Sequence, residues 1–196
     1  MERKLHLDPK TTALLLVDLQ NGIVTLDVGP NSSSQVVANA QLLATAFRAF
    51  GSVVALISVE FSQDGRDALN PNLEIPASPG VGHHPPGWSS LVSELNIHPS
   101  DIKIKKRQWG AFYGTELDLQ LRRRNIRTII LAGLSTNIGV ESTARDAFER
   151  GYNQIFVCDA MASPSIEAHN NTFQHIFPRI GIIRSTAEVI LALNSP

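Results

Sequence analysis

The stretch IILAGLSTNIGVESTARDA, residues 129–147, decides how this chain folds. It opens as a short apolar run rich in β-branched residues and passes Gly133 and a Ser-Thr-Asn cluster. It then continues with helical spacing at Ile138, Val140, Thr143 and Ala147. That is a strand, a tight turn and a helix. A helix N-terminus presents free backbone N–H groups and the positive end of the helix dipole, so an anion or a developing oxyanion suits this turn. Where a hydrolase would mount a cysteine or serine stands Gly139, which supplies room and no attacking atom. Ser135, Thr136 and Asn137 also suit plain helix capping.

Working outward, the same alternation fills the chain. Residues 11–17, TTALLLV, form a nearly continuous apolar run, as a strand buried on both faces requires, and lead straight into Asp18, Leu19 and Gln20. An acid at a strand's carboxyl end stands where parallel sheets bind ligands, although it also suits the capping of a turn. A helix is expected over 35–50, capped by the Ser run at 32–34 and ended by Gly51, followed by a second buried strand at 52–59. Further strands are expected at 101–105, 153–157 and 179–184. Further helices are expected at 116–124, 165–177 with Pro178 stopping it, and 186–193. Strands alternating with helices imply an α/β fold in three layers, a parallel sheet with helices on both faces, as a single domain over 1–196.

Residues 60–100 differ in character, being rich in Pro and Gly with one short helical candidate at 89–94. So long a connection reads as a rim or lid over the site. His83 and His84 are adjacent and do not converge on one ion, so no metal or other cofactor is expected. Trp88 suits either a pocket wall or core packing. KRQWGAFYGT, residues 106–115, begins with a lysine leaving a strand end and continues with Trp109, Phe112 and Tyr113. Solvated lysines and core aromatics are the alternative reading of that segment.

Composition limits the function. With 196 residues, 43% hydrophobic and a formal charge of -1, the chain can bury a sizeable core and has no excess charge to attract nucleic acid or an anionic membrane. The opening MERKLHLDPK has no apolar run after its basic residues, and no run approaches a bilayer span, so a soluble, unprocessed chain is expected. One cysteine, Cys158, closes no intrachain disulfide, which fits a reducing cytoplasm.

Four segments together resemble the isochorismatase-like hydrolase superfamily: LLLVDLQNG at 14–22, KRQWGAF at 106–112, AGLSTNIGVESTARDAFERGY at 132–152 and VCDA at 157–160. The resemblance implies a three-layer Rossmann-like fold with a six-stranded parallel sheet, a homo-oligomer, a small-molecule substrate and a non-proline cis peptide at Ser135–Thr136. It also implies that Asp18, Lys106 and the vacant nucleophile position Gly139 form the catalytic group. Gln20, Trp88, Trp109, Phe112, Ser135, Thr136 and Ile138 would contact substrate. The amidases of this superfamily carry a cysteine where Gly139 stands, and a glycine forms no thioester. Cys158 lies outside the motif and reads as a small buried hydrophobe. The members that hydrolyse the vinyl ether of isochorismate also lack that cysteine, whereas Ser135 and Thr136 are more like the amidase branch. Acid-catalysed vinyl ether hydrolysis is therefore the expected reaction. A non-covalent amide or C–N hydrolase and a catalytically silent ligand-binding oligomer are the alternatives.

Overall fold

The computed structural model of the protein describes residues 5–75 and 84–193. The strands are β1 (Thr12–Val17), β2 (Val53–Val59), β3 (Ile102–Lys106), β4 (Thr128–Leu134), β5 (Asn153–Ala162) and β6 (Ile182–Arg184). They form one sheet in the order β3-β2-β1-β4-β5-β6, and every neighbouring pair is parallel. The chain builds outward from β1 to β3, then returns to set β4 against the other side of β1. Between those two strands the connections diverge, which opens a crevice at their carboxyl ends.

The helices are α1 (Asn21–Val24), α2 (Ser33–Ala49), α3 (Leu117–Arg123), α4 (Glu141–Glu149), α5 (Ile166–Asn171), α6 (Phe177–Ile180) and α7 (Thr186–Leu193). Side chains of β1 alternate between two cores, as the period of two demands. Leu14 and Leu16 pack with Val36, Leu43 and Phe47 of α2 and Val189 of α7. Ala13, Leu15 and Val17 pack on the other face with Leu117 and Leu121 of α3, Ala144 and Ala147 of α4, and Phe177 of α6. The three layers follow from β1 being buried at every position, and apolar from Ala13 to Val17, rather than at alternate ones. Ser32 caps α2 by accepting the Gln35 N–H at 3.2 Å.

Gly133 shows how tightly the central strands meet. At φ +123°, a Cβ there would lie 2.1 Å from the Val17 carbonyl oxygen, so no side chain fits.

Several expectations need correction. The cis peptide is Leu134–Ser135, not Ser135–Thr136; Gly29–Pro30 is also cis. A π-helical turn, Thr136–Val140, precedes α4, because the chain leaves β4 too sharply for α-helical spacing to start at once. Pro178 does not stop a helix: it lies in the first turn of α6, where its missing N–H needs no partner. β5 runs on to Ala162, so Cys158 and Asp159 lie within it, and Cys158 is half-buried rather than enclosed. The helical candidate at 89–94 reduces to one 3₁₀ turn, Ser93–Leu95, and β6 begins at Ile182. No described helix is long and apolar enough to cross a membrane.

Candidate active site

β1 delivers Asp18 one residue past its end, in the left-handed region at φ 53°. Aspartate tolerates that conformation better than most residues, and its N–H is anchored to the Ile57 carbonyl at 2.9 Å. Lys106 is the last residue of β3, with β2 lying between it and β1. Two strand spacings come to about 10 Å, so only a long side chain from Lys106 can reach across to Asp18. It does so, and is 2% exposed along the way. Its ammonium donates to Asp18 Oδ2 at 2.7 Å and to the Trp109 carbonyl at 2.6 Å.

β4 and its π turn bring up the third component. A Cβ built on Gly139 would lie 2.8 Å from Asp18 Oδ2, 3.3 Å from Lys106 Nζ and 3.3 Å from Val17 Cγ1. The glycine therefore faces the ion pair directly. An ammonium has three donors, and among the described residues two protein acceptors take Lys106's. Asp18 Oδ1 is buried and has no protein partner among the described residues. One Lys106 donor and one carboxyl oxygen of Asp18 are thus left over by the protein's own bonds.

Burial raises the Asp18 pKa, and the charge of and hydrogen bond from Lys106 oppose that rise; the balance lies at about 6. A carboxyl of that pKa still holds its proton in about one molecule in ten at pH 7, and regains it readily. Such a group can act as a general acid.

The other expected residues divide. Ser135 is buried, and its carbonyl accepts the N–H groups of Ile138 at 3.1 Å and Val140 at 3.2 Å. The Ile138 N–H is thus used by the turn itself, contrary to the expectation that it would hold substrate. Thr136 is fully buried and faces β5 and α5: its hydroxyl lies 3.1 Å from the Ala162 carbonyl and 2.8 Å from His169 Nδ1. Phe112 is a core residue stacked on Tyr152, not a pocket wall. Gln20 is also structural. Its amide accepts the Val59 N–H at 2.8 Å and donates to the Val59 carbonyl at 3.0 Å, clamping β2 beside Asp18. None of Ser135, Thr136 and Asn137 caps the turn; Asn137 Oδ1 accepts from Ser163 Oγ at 2.5 Å.

Trp88 lies over α1, where a Cβ on Gly22 would be 1.9 Å from its indole, and stacks face to face on His84 with centroids 3.6 Å apart. Trp109 gives its carbonyl to Lys106 and leaves its ring 63% exposed. Lys105, unlike Lys106, pairs at the surface with Glu60. His83 lies outside the described residues, and no group of three potential metal ligands occurs among those described.

His169 escaped the sequence reading altogether, and Thr143 entered it only as a residue of the helical face. His169 sits in AHNNTF with no spacing to mark it. Thr143 stands i+4 from Gly139 on an otherwise apolar helical face, and a polar residue at a core position was the available signal.

The Isochorismatase domain family matches residues 12–188. The chain is 50% identical over 190 residues to the uncharacterized isochorismatase family protein YwoC of Bacillus subtilis (strain 168), covering 97% of this chain and 98% of that one. It is 33% identical over 184 residues to the ureidoacrylate amidohydrolase RutB of Pseudomonas syringae pv. syringae, covering 80% and 72%. An isochorismatase family protein from Burkholderia thailandensis superposes with a TM-score of 0.93 at 44% identity, over 98% of this chain and 100% of that one. With this sheet order, these strand-tip residues and matches spanning nearly its whole described length, the chain belongs to the isochorismatase family of hydrolases.

Proposed function

We propose that the protein hydrolyses a small vinyl ether of the isochorismate type, with Asp18 as general acid and no covalent intermediate. The observation that carries this reading is Gly139, which sets bare backbone against Asp18 Oδ2 and Lys106 Nζ, 2.8 and 3.3 Å from where a Cβ would stand, and offers no attacking atom. Protonated Asp18 gives its proton to the terminal vinyl carbon, and the ether oxygen stabilises the resulting oxocarbenium. Water adds to the internal, ether-bearing carbon of that cation and returns a proton to Asp18. The hemiketal then breaks its bond to the alcohol oxygen, which takes a proton as a 2-ketoacid is released. The spare N–H of Lys106 orients the water or a substrate carboxylate. Ser135, Trp88 and Trp109 border the approach as candidate substrate contacts. We further place the protein in the cytoplasm as a homo-oligomer.

A second reading has specific support, since a relative that shares a third of the sequence is a ureidoacrylate amidohydrolase. In that case the pair would activate water against a C–N bond, again without acylation. Supplying the purified protein with isochorismate and measuring ketoacid release tests the first reading. Turnover that falls about 10²- to 10⁴-fold in Asp18→Asn supports it. Turnover unchanged in Asp18→Asn overturns the assigned role. Ammonia released from ureido or amide compounds, with no ketoacid from isochorismate, transfers the assignment to the second reading.

A further inference from the structure

We propose that Thr143 is a positioning residue whose hydroxyl joins the loop holding Lys106 to the turn holding Gly139, and so sets the width of the space between them. The inference rests on the site described above, and its test needs no substrate. Thr143 lies in the first turn of α4 and is fully buried. Its hydroxyl donates to the Gly139 carbonyl at 2.7 Å and accepts the Ala111 N–H at 3.1 Å.

A helical threonine ordinarily needs only the first of those bonds, back to the carbonyl four residues earlier. The second comes from a loop 32 residues away in sequence. It satisfies a backbone N–H on a residue with no solvent exposure, which would otherwise carry the full penalty of an unmade bond. Gly110, beside it, lies against the same helix: a Cβ there would make ordinary van der Waals contact with the Ser142 carbonyl at 3.6 Å.

The links run as a chain from Lys106 to Gly139. Lys106 Nζ donates to the Trp109 carbonyl, Ala111 two residues on donates to Thr143, and Thr143 donates to Gly139. A Cβ on Gly139 would in turn stand 3.3 Å from the same Nζ. Without the hydroxyl, no other hydrogen bond among the described residues joins the 109–111 loop to the turn. The Trp109 carbonyl is then free to drift, and the ammonium it shares with Asp18 drifts with it.

Thr143→Val keeps the shape and removes the hydroxyl. Thr143→Ala removes it with less bulk and gives the same comparison if the valine variant does not fold. Thr143→Ser keeps the hydroxyl. The readout is the Asp18 carboxyl ¹³C resonance followed through its titration, assigned with Asp18→Asn. In the valine and alanine variants the Asp18 midpoint rises by about half a pH unit or more, because a looser ammonium lowers it less. The serine variant follows the wild type. A purely structural role would lower the thermal midpoint of the valine and alanine variants while leaving the Asp18 titration on the wild-type curve, and that result overturns the proposal. So does a serine variant displaced as far as valine. If isochorismate releases no ketoacid from the wild type, the proposed reaction fails and the titration still decides the role of Thr143. If it does, kcat falls in the valine and alanine variants with KM unchanged.

Discussion

The short strand β3 has a buried ion pair at each end, and the two are built differently. Just before it, Asp101 is gripped by Arg48, which donates from Nε at 3.0 Å and from Nη2 at 2.7 Å, while the His98 N–H reaches Oδ2 at 2.8 Å. Both carboxylate oxygens are occupied, and Arg48 also holds the Leu95 carbonyl at 3.2 Å. At the far end Lys106 meets only one oxygen of Asp18, the other is left without a protein partner among the described residues, and Asp18 sits in the left-handed region. The saturated pair joins α2 to the sheet. The unsaturated pair has bonding capacity left over, and its backbone strain is kept at the site where chemistry is proposed.

Breaking each pair should therefore register in a different measurement. Asp18→Asn is expected to lower turnover about 10²- to 10⁴-fold, equivalent to about 3 to 5 kcal/mol of barrier, while the chain stays folded. Arg48→Ala leaves Asp101 buried and undercompensated, which costs about 3 kcal/mol of stability by urea titration with kcat unchanged. If Arg48→Ala reduced kcat as much as Asp18→Asn, the contrast between a structural and a functional pair would fail.

How much of this was legible in the sequence depends on what places each residue. Asp18 and Lys106 each follow or close a strand, and Gly139 sits at a fixed distance beyond another. Strand ends in a parallel sheet share one edge, so their convergence was readable. The directions of side chains leaving a turn were not readable. Thr136 and Ser135 are adjacent, and a rotation of the backbone decides which of them faces substrate. Here Thr136 turned toward His169, a partner 33 residues on with no periodic relation to it. Phe112 was misread for a similar reason. Its neighbour Trp109 is exposed while Phe112 is buried against Tyr152, and nothing in the order of aromatics separates the two. Gln20 lies among the motif residues, but its amide is consumed by β2, a strand whose pairing was known only as an expectation.

A pH titration of stability sharpens the comparison from the Asp18 side. Its pKa is raised from 3.8 in the unfolded chain to about 6 in the folded one, through burial that Lys106 only partly offsets. Between those values the folded state binds more protons than the unfolded state, so stability falls as pH rises through the window. The loss is about 2 to 3 kcal/mol, complete above pH 6 and absent below about pH 4. Asp18→Asn removes this dependence, so the stability of the variant minus that of the wild type should climb across the same window in guanidinium titrations. A flat difference would mean that Asp18 is not held at high pKa, and the proton donor would have to be sought elsewhere.

The smallest expected effect on stability is also the most pointed test of the Gly139 position. Gly139→Ala places a methyl 2.8 Å from Asp18 Oδ2 and 3.3 Å from Lys106 Nζ. The nearest atom is the end of a carboxylate, not backbone, so it must swing aside within its bond to Lys106, at a cost of about 1 kcal/mol. Part of that cost is offset by the better helical propensity of alanine over glycine. The thermal midpoint should therefore move little. Turnover should not be spared in the same way: the methyl displaces the Asp18 carboxylate and tilts the acid away from the ammonium that orients it. A variant with nearly wild-type stability and a strongly reduced kcat would show that the placement of Asp18 against Lys106 is used by the reaction. A variant with unchanged kcat would mean that substrate meets Asp18 from another side, through the unpartnered Oδ1.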